Sequence, residues 1–281
     1  MKHSLPLLLL SCLLTACQFG TPTAPSDGSD TTIQSFLSSG TAQTAAHPAG
    51  AYPDVLLETP RMEVPTREQL IDHTAFRISY NASRCIPNWV AYELTKKETY
   101  GDVERTDYFD VDPSISGRQA RFSDYSHTGY DRGHMAPAGD MKWDEDAMEE
   151  CFYLTNICPQ NHTLNKGDWN DLEMKCRDWA RRYGRAWIVT GPIVSSKTPK
   201  TISSRNIVVP DAFFKAVMVP TGNRYKAAGF VMQNTAGSQP YSDCICTIDE
   251  LENLTGIDFF YALPDDVEDG MEQNLDPSTW R

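Results

Sequence analysis

Tyr130-Asp131-Arg132-Gly133-His134-Met135-Ala136-Pro137 is the stretch on which the reading of this chain turns. An imidazole beside a guanidinium and a glycine is a common structural arrangement, and alone it decides little. Three segments downstream change its weight. Leu154-Thr155-Asn156-Ile157-Cys158-Pro159-Gln160 is an apolar strand end breaking at proline, and Leu164-Asn165-Lys166-Gly167-Asp168-Trp169 places Asn165 at a helix entrance. Glu173 and Arg177 follow four residues apart. Taken singly, Asn165 is an N-cap and Glu173 with Arg177 is a helix-surface ion pair. Taken together, Asn165, Trp169, Glu173 and Arg177 advance about 40° per step around a helix, so they form one oblique stripe. Facing the loop that bears His134, that stripe would gather a base, a neutral metal ligand, a carboxylate and two guanidinium groups. Phosphodiester hydrolysis calls for this set: a base to activate water, a divalent cation to offset charge, and arginine to hold the phosphate.

Outward from this core, the periodicity predicts an α+β domain with a mixed, largely antiparallel central sheet and flanking helices. Residues 76–80 and 89–94 alternate like half-buried strands, and 186–191 is a continuous apolar run suited to a buried one. Residues 213–219 and 227–232 flank Thr221-Gly222-Asn223-Arg224, a hairpin signal. Helices are expected over 166–183 and over 249–254, the latter ending at Gly256. The acidic stretch 265–276 reads as solvated surface.

The charge balance narrows the function classes. Basic side chains number 25 against 38 acidic ones, a formal net charge of −13 over 281 residues. That balance argues against a protein that coats DNA broadly, and it permits an enzyme with a local basic cleft. Lys175, Arg177, Arg181, Arg182 and Arg185 suggest such a local face.

The opening residues set an expectation for compartment. Lys2 and His3 precede a short apolar run too brief to span a bilayer, then Leu13-Leu14-Thr15-Ala16-Cys17. Small residues before a cysteine resemble a bacterial lipoprotein signal, with Cys17 the lipidated residue; the alternative is an ordinary secretory signal cleaved nearby, and either way export is expected. Gln18 after it favours the outer membrane by the same resemblance. The expected organisation is a signal peptide over 1–16, a Ser/Thr/Ala/Gly/Pro-rich tether over 17–54, and one domain over 55–281. Of the eight cysteines, Cys12 falls in the leader and Cys17 at the anchor. The six others (Cys85, Cys151, Cys158, Cys176, Cys244 and Cys246) suggest disulfides in an oxidising compartment, with pairing left open. A zinc site is disfavoured, since Cys158 and His162 lack a second pair.

From His73 to Asp266 the chain resembles the DNA/RNA non-specific endonuclease family of ββα-metal nucleases. The resemblance is carried by Tyr130 to Ala136, by Tyr153 to Gln160, by Leu164 to Trp169 and by Leu172-Glu173. Asn88 to Tyr92, Val189 to Pro192, Thr255-Gly256 and Leu263 to Asp265 extend it. It implies a ββα-metal active-site motif with His134 as general base and Asn165 as the one direct protein ligand of Mg²⁺, Mn²⁺ being a substitute. A single ligand suits an ion that keeps most of its water. Glu173 would orient metal-bound water. Arg132 and Arg177 match positions near the scissile phosphate, Asn156 matches a residue near the active histidine, and Arg105 would bind phosphate. Lys166 stands where the family usually has Gln, adding a positive charge. The implied products are 5′-phosphate and 3′-hydroxyl ends, from DNA and RNA held by their backbones. A homodimer is left open. The competing readings are a nucleic-acid-binding lipoprotein without activity and a phosphodiesterase acting on another phosphate ester.

Overall fold

The computed structural model describes residues 56–63 and 68–281. The expectations for the leader, the Cys17 anchor and the tether therefore lie outside the described residues. The chain runs from a short strand, β1 (Arg61–Met62), into the meander β2 (Gln69–Asp72), β3 (Arg77–Asn81) and β4 (Ile86–Thr95). It then leaves the sheet for β5 (Asp131–His134), α1 (Glu145–Glu150), β6 (Ile157–Gln160), α2 (His162–Lys166) and α3 (Asp168–Tyr183). It returns through β7 (Arg185–Ile193), a small ladder of β8 (Thr201–Ile202) and β9 (Ile207–Val208), and the hairpin β10 (Ala212–Thr221) and β11 (Arg224–Gln233). β12 (Ile245–Cys246), α4 (Ile248–Thr255), β13 (Ile257–Asp258) and α5 (Asp265–Glu272) follow.

Seven strands hydrogen-bond in the order β12-β11-β10-β7-β4-β3-β2, and each neighbouring pair is antiparallel. The expected α+β class with an antiparallel frame is met. Successive side chains on a strand point to opposite faces, and here both faces are covered. Val90, Tyr92, Leu94, Ile188, Phe213, Val217 and Phe230 belong to one buried cluster. The alternate positions Trp89, Ala91, Trp187, Val189, Phe214, Ala216 and Met218 belong to a second. The first cluster includes Leu164, Leu172, Cys176 and Trp179 from α2 and α3, and Ile157 and Cys158 from β6. The second includes Ile248 and Leu251 of α4 and Met271 of α5. Double-sided burial explains why 186–191 reads as an uninterrupted apolar run.

α3 follows from its sequence. Trp169, Leu172, Cys176, Trp179 and Ala180 bury one stripe, Asp168 and Asp171 sit in the first turn, and Arg181 and Arg182 in the last. Gly184 ends the helix at φ 93°, a conformation open to glycine. The predicted start at 166 is shifted, because the chain breaks at Gly167 (φ −105°, ψ −113°) and the preceding residues form the separate turn α2.

Two expectations are corrected. All six described cysteines are free. Cys85, Cys151, Cys158 and Cys176 are buried in the first cluster, where a thiol packs as a small apolar group. The acidic C-terminal stretch is not merely solvated surface: it forms α5, buries Met271 and Glu272, and is followed by Trp280, whose ring meets Trp179 edge-on at 4.9 Å. Burial, with Glu252, Glu268, Asp249 and Asp258 around it, pushes the Glu272 carboxyl up to about 9.

Candidate active site

β5 and β6 form a two-stranded antiparallel ladder that pairs Gly133 with Cys158 and His134 with Ile157. α2 and α3 follow directly, so the expected ββα motif is present. Gly133 has a steric reason to be glycine, since a Cβ there would lie 2.1 Å from Gln160 Oε1. Beyond His134 the backbone is pinned by Asn156. Its Oδ1 accepts from the Ala136 amide at 2.9 Å, and its Nδ2 donates to the carbonyls of Ala136 at 2.9 Å and Cys151 at 2.8 Å. Asn156 is fully buried and outside the cavity, so it sets where the histidine strand ends and touches nothing that enters from solvent.

A cavity of about 470 Å³ is lined by Arg105, Arg132, His134, Pro137, Ala138, Gly139, Asn165, Lys166, Asn170, Glu173 and Arg177. Seven of the residues singled out in the sequence thus meet in one place: Arg105, Arg132, His134, Asn165, Lys166, Glu173 and Arg177. A neighbouring cavity of about 230 Å³ shares Arg105, Arg132 and Asn165 and extends along Asp107, Phe109, Tyr130 and Asp131.

The His134 ring is held by aromatic contact alone. It lies 4.8 Å from the Phe152 ring, edge-on, and 5.4 Å from that of Phe109. Its Nε2 is buried without a partner. Burial, reinforced by the Arg105 and Arg132 charges against the opposing Asp107, lowers its pKa to about 3. The imidazole is therefore neutral across ordinary pH, the form a proton acceptor requires. The same rings hold the arginines: Arg132 lies 4.9 Å from Phe109 and 4.4 Å from Phe122, and Arg105 lies 4.9 Å from Phe152.

Asn165 is not the helix cap. Asn161 caps α2, its Oδ1 accepting from the Thr163 amide at 2.9 Å and the Leu164 amide at 3.4 Å. Asn165 instead donates from Nδ2 to the Asp131 carboxylate at 2.9 Å. A carboxylate only accepts, so the amide nitrogen must be the atom facing it, and Oδ1 is left without a protein partner. Asp131, the first residue of Asp-Arg-Gly-His, thereby orients Asn165. The same carboxylate meets His162 Nδ1 at 3.0 Å, which ties His162 to a positioning role.

The stripe is also redrawn. Trp169 is buried against Phe213, with Lys215 Nζ 4.5 Å from its ring. The break at Gly167 changes the phase between Asn165 and α3. The pocket residues of α3 are Asn170, Glu173 and Arg177, spaced i, i+3 and i+7 on one face. Arg177 does not pair with Glu173; its Nη1 donates to the fully buried Asp140 at 2.6 Å, and Tyr92 Oη donates to the other Asp140 oxygen at 2.8 Å. The Glu173 carboxylate makes no hydrogen bond or ion pair among the described residues. Its pKa is raised to about 7, first by burial and then by Asp140, against the lowering pull of Lys215, Arg177 and Arg105.

The basic run at the end of α3 contributes only Arg177 to the cavity. Arg181 bonds Thr99 and Asp178, and Arg185 pairs with Glu93 at 2.7 Å. Sequence reasoning missed Asp131, Asp140, Asn170 and Lys215. Asp131 lay in the quoted motif and Asn170 at i−3 from Glu173; nothing local marks Asp140 or Lys215. Lys215 is fully buried, with Nζ 3.3 Å from Thr190 Oγ1 on the paired strand. His73 sits in a structural network with Asp112 at 3.1 Å.

The cavity's donors fit a hard divalent cation that keeps most of its water: one amide oxygen and one carboxylate, both unbonded by protein, beside three guanidinium groups. Among the described residues, the trio Asp249, Glu252 and Glu272 is the one group of three acidic or imidazole ligands close enough to share an ion, and none of the three lines this cavity.

Comparison with known proteins identifies the family. The family described as DNA/RNA non-specific endonuclease matches residues 56–266. Mouse mitochondrial nuclease EXOG is 37% identical over 208 residues, 68% of this chain and 56% of that protein. Nuclease C1 of Cunninghamella echinulata var. echinulata is 31% identical over 70% of this chain and 85% of its own length. A crystal structure of the EndoG/EndoGI complex, which concerns the mechanism of EndoG inhibition, superposes with a TM-score of 0.67 at 27% identity, covering 73% of this chain and 90% of that one. The chain thus spans little more than half the length of the mouse protein.

Proposed function

The chain belongs to the DNA/RNA non-specific endonuclease family, and from that premise we propose that it is a divalent-cation-dependent endonuclease that hydrolyses phosphodiester bonds of DNA and RNA. The observation that carries the reading is the meeting of His134, Asn165 and Glu173 in one arginine-lined cavity, each with polar atoms the protein leaves unbonded.

In this reading the neutral His134 imidazole takes a proton from a water molecule aligned with phosphorus. Its aromatic walls fix the ring without using either nitrogen, so a lone pair is free for that proton. Arg132 and Arg105 approach the phosphate oxygens with planar donors that match them. Lys166 adds charge at the rim. Asn165 Oδ1 would hold the cation, with Asp131 fixing the amide, and Glu173 would accept hydrogen bonds from its water. When bound, Mg²⁺ (or Mn²⁺ in its place) supplies positive charge to the phosphate and to the departing 3′-oxygen. The products are 5′-phosphate and 3′-hydroxyl ends. Arg177 is tied to Asp140 and acts first by holding α3 to the loop beyond His134. Recognition is of backbone, since the cavity offers charge and no groove-reading helix.

The test is incubation of supercoiled plasmid and of RNA with the protein and Mg²⁺ or Mn²⁺ between about pH 6 and 9, where His134, lowered to about 3, is neutral. Nicking of both, lost on chelation, is the expected result. Intact nucleic acid with cleavage of a small phosphodiester would move the activity to another ester, and binding without cleavage would make the chain a binder.

The same proposal includes export and a lipid at Cys17 tethering the domain to the outer membrane, supported by the apolar run and small residues before that cysteine. No helix among the described residues is long and apolar enough to cross a membrane. Mass spectrometry of the mature N-terminus tests it, as does release of a Cys17→Ser protein from membranes.

A further inference from the structure

On the face of the sheet away from His134, α4 and α5 bring three carboxylates together. The ligand oxygens of Asp249, Glu252 and Glu272 all lie within 4.8 Å of one another. Asp249 and Glu252 sit one turn apart on α4, at i and i+3, and Glu272 ends α5. No Lys or Arg pairs with any of them among the described residues. Glu252 accepts one hydrogen bond, from the Phe259 amide at 2.8 Å.

Glu272 adds a buried acid that the protein leaves unbonded. Its residue is 7% exposed, its Oε1 is buried without a partner, and its carboxylate is turned into the cluster. The protein gives this enclosed side chain no donor, so its charged form is costly and its carboxyl is pushed up to about 9; a bound cation would displace the proton and stabilise the charged form. A cavity of about 200 Å³ opens beside the cluster, lined by Asp249, Glu252, Asn253, Gly256 and Glu63, so a fourth carboxylate stands at its rim. The donors are all oxygen, and the adjoining cavity leaves room for water.

We propose that Asp249, Glu252 and Glu272 form a second, structural site for a hard divalent cation of the Ca²⁺ type, separate from the catalytic cavity. All-oxygen, carboxylate-rich surroundings suit Ca²⁺, which accepts roughly six to eight oxygens with flexible geometry. The ion would clamp α5 to α4 and so fix the acidic C-terminal segment over the second core cluster. That gives this segment a purpose its composition did not disclose.

The experiment is thermal melting of the chelated protein on adding CaCl₂, against NaCl of matched ionic strength, for wild type, Glu272→Gln, Asp249→Asn and Asn165→Ala. At Ca²⁺ about a hundredfold above its Kd, the wild-type midpoint should rise by roughly 5–10 °C beyond the NaCl control. Glu272→Gln and Asp249→Asn should lose that rise, and Asn165→Ala should keep it. Asp249 is half-buried, so its variant remains informative should the Glu272 variant fail to fold. Equal melts in CaCl₂ and NaCl would overturn the proposal. So would a rise that survives in the folded carboxylate variants, or one that vanishes in Asn165→Ala, which would place the ion in the catalytic cavity.

Discussion

Both faces of the central sheet bury carboxylates, and the two do so differently. On the His134 side, Asp140 is fully buried and both its oxygens are used, one by Arg177 and one by Tyr92. On the far side Glu272 is nearly as enclosed and has no donor. Glu173 resembles Glu272 in having no protein partner among the described residues, yet it stands in a cavity ringed by arginines. The contrast separates two uses of a buried acid. A carboxylate paired on both oxygens holds elements together, whereas one left unpaired faces something the polypeptide does not supply.

Altering the unpaired groups of the His134 face should have the largest effects, on activity and not on folding. Asn165→Ala should abolish cleavage while moving the thermal midpoint little, since it loses only the hydrogen bond to Asp131. Retained activity would mean another residue holds the cation. Glu173→Gln should cost roughly 10–100-fold in rate as a residue acting through bound water. The paired acid should behave oppositely. Arg177→Ala leaves Asp140 buried and without its charge partner, so denaturant unfolding should show a loss of about 3–5 kcal/mol. Tyr92→Phe should cost less, about 1.5–3 kcal/mol for a hydrogen bond to a charged group. An Arg177→Ala protein as stable as wild type would remove the distinction.

A gentler probe is an NMR titration of the metal-free protein. His134, lowered to about 3, should show no step between about pH 8 and 5, and Glu173 should titrate near 7. The linked stabilities have opposite signs. The lowered histidine binds fewer protons folded than unfolded, so its contribution is present above pH 6.5 and is lost as pH falls towards 3. The raised glutamate binds more protons folded, so its contribution is present below pH 4.5 and is lost as pH rises through about 7. A histidine step near 6.5 would mean that the Phe109 and Phe152 walls do not exclude water.

What the sequence made legible was what local pattern controls. The patterns in 89–94 and 213–219 marked strands, although 89–94 read as half-buried and is covered on both faces, and the stretch 166–183 marked a helix. The Asp-Arg-Gly-His stretch, with Asn165 and Glu173, marked the cavity. Phase and distant pairing were not legible. Gly167 interrupts the helix, which moves Trp169 into the core and brings Asn170 to the pocket. Asp140 meets Arg177 from 37 residues away, a contact no spacing announces. The cysteines were misread because a count suggests pairs, whereas burial in an apolar core gives four of them a reason to stay thiols.

The proposed function depends above all on the unbonded His134 imidazole acting as the base for phosphodiester hydrolysis. Plasmid nicking with Mg²⁺ by wild type and His134→Ala, at matched folded concentration, tests it most directly. The rate should fall ~10²–10⁴-fold in the variant, with nucleic acid still bound. Nicking by His134→Ala at the wild-type rate would contradict it.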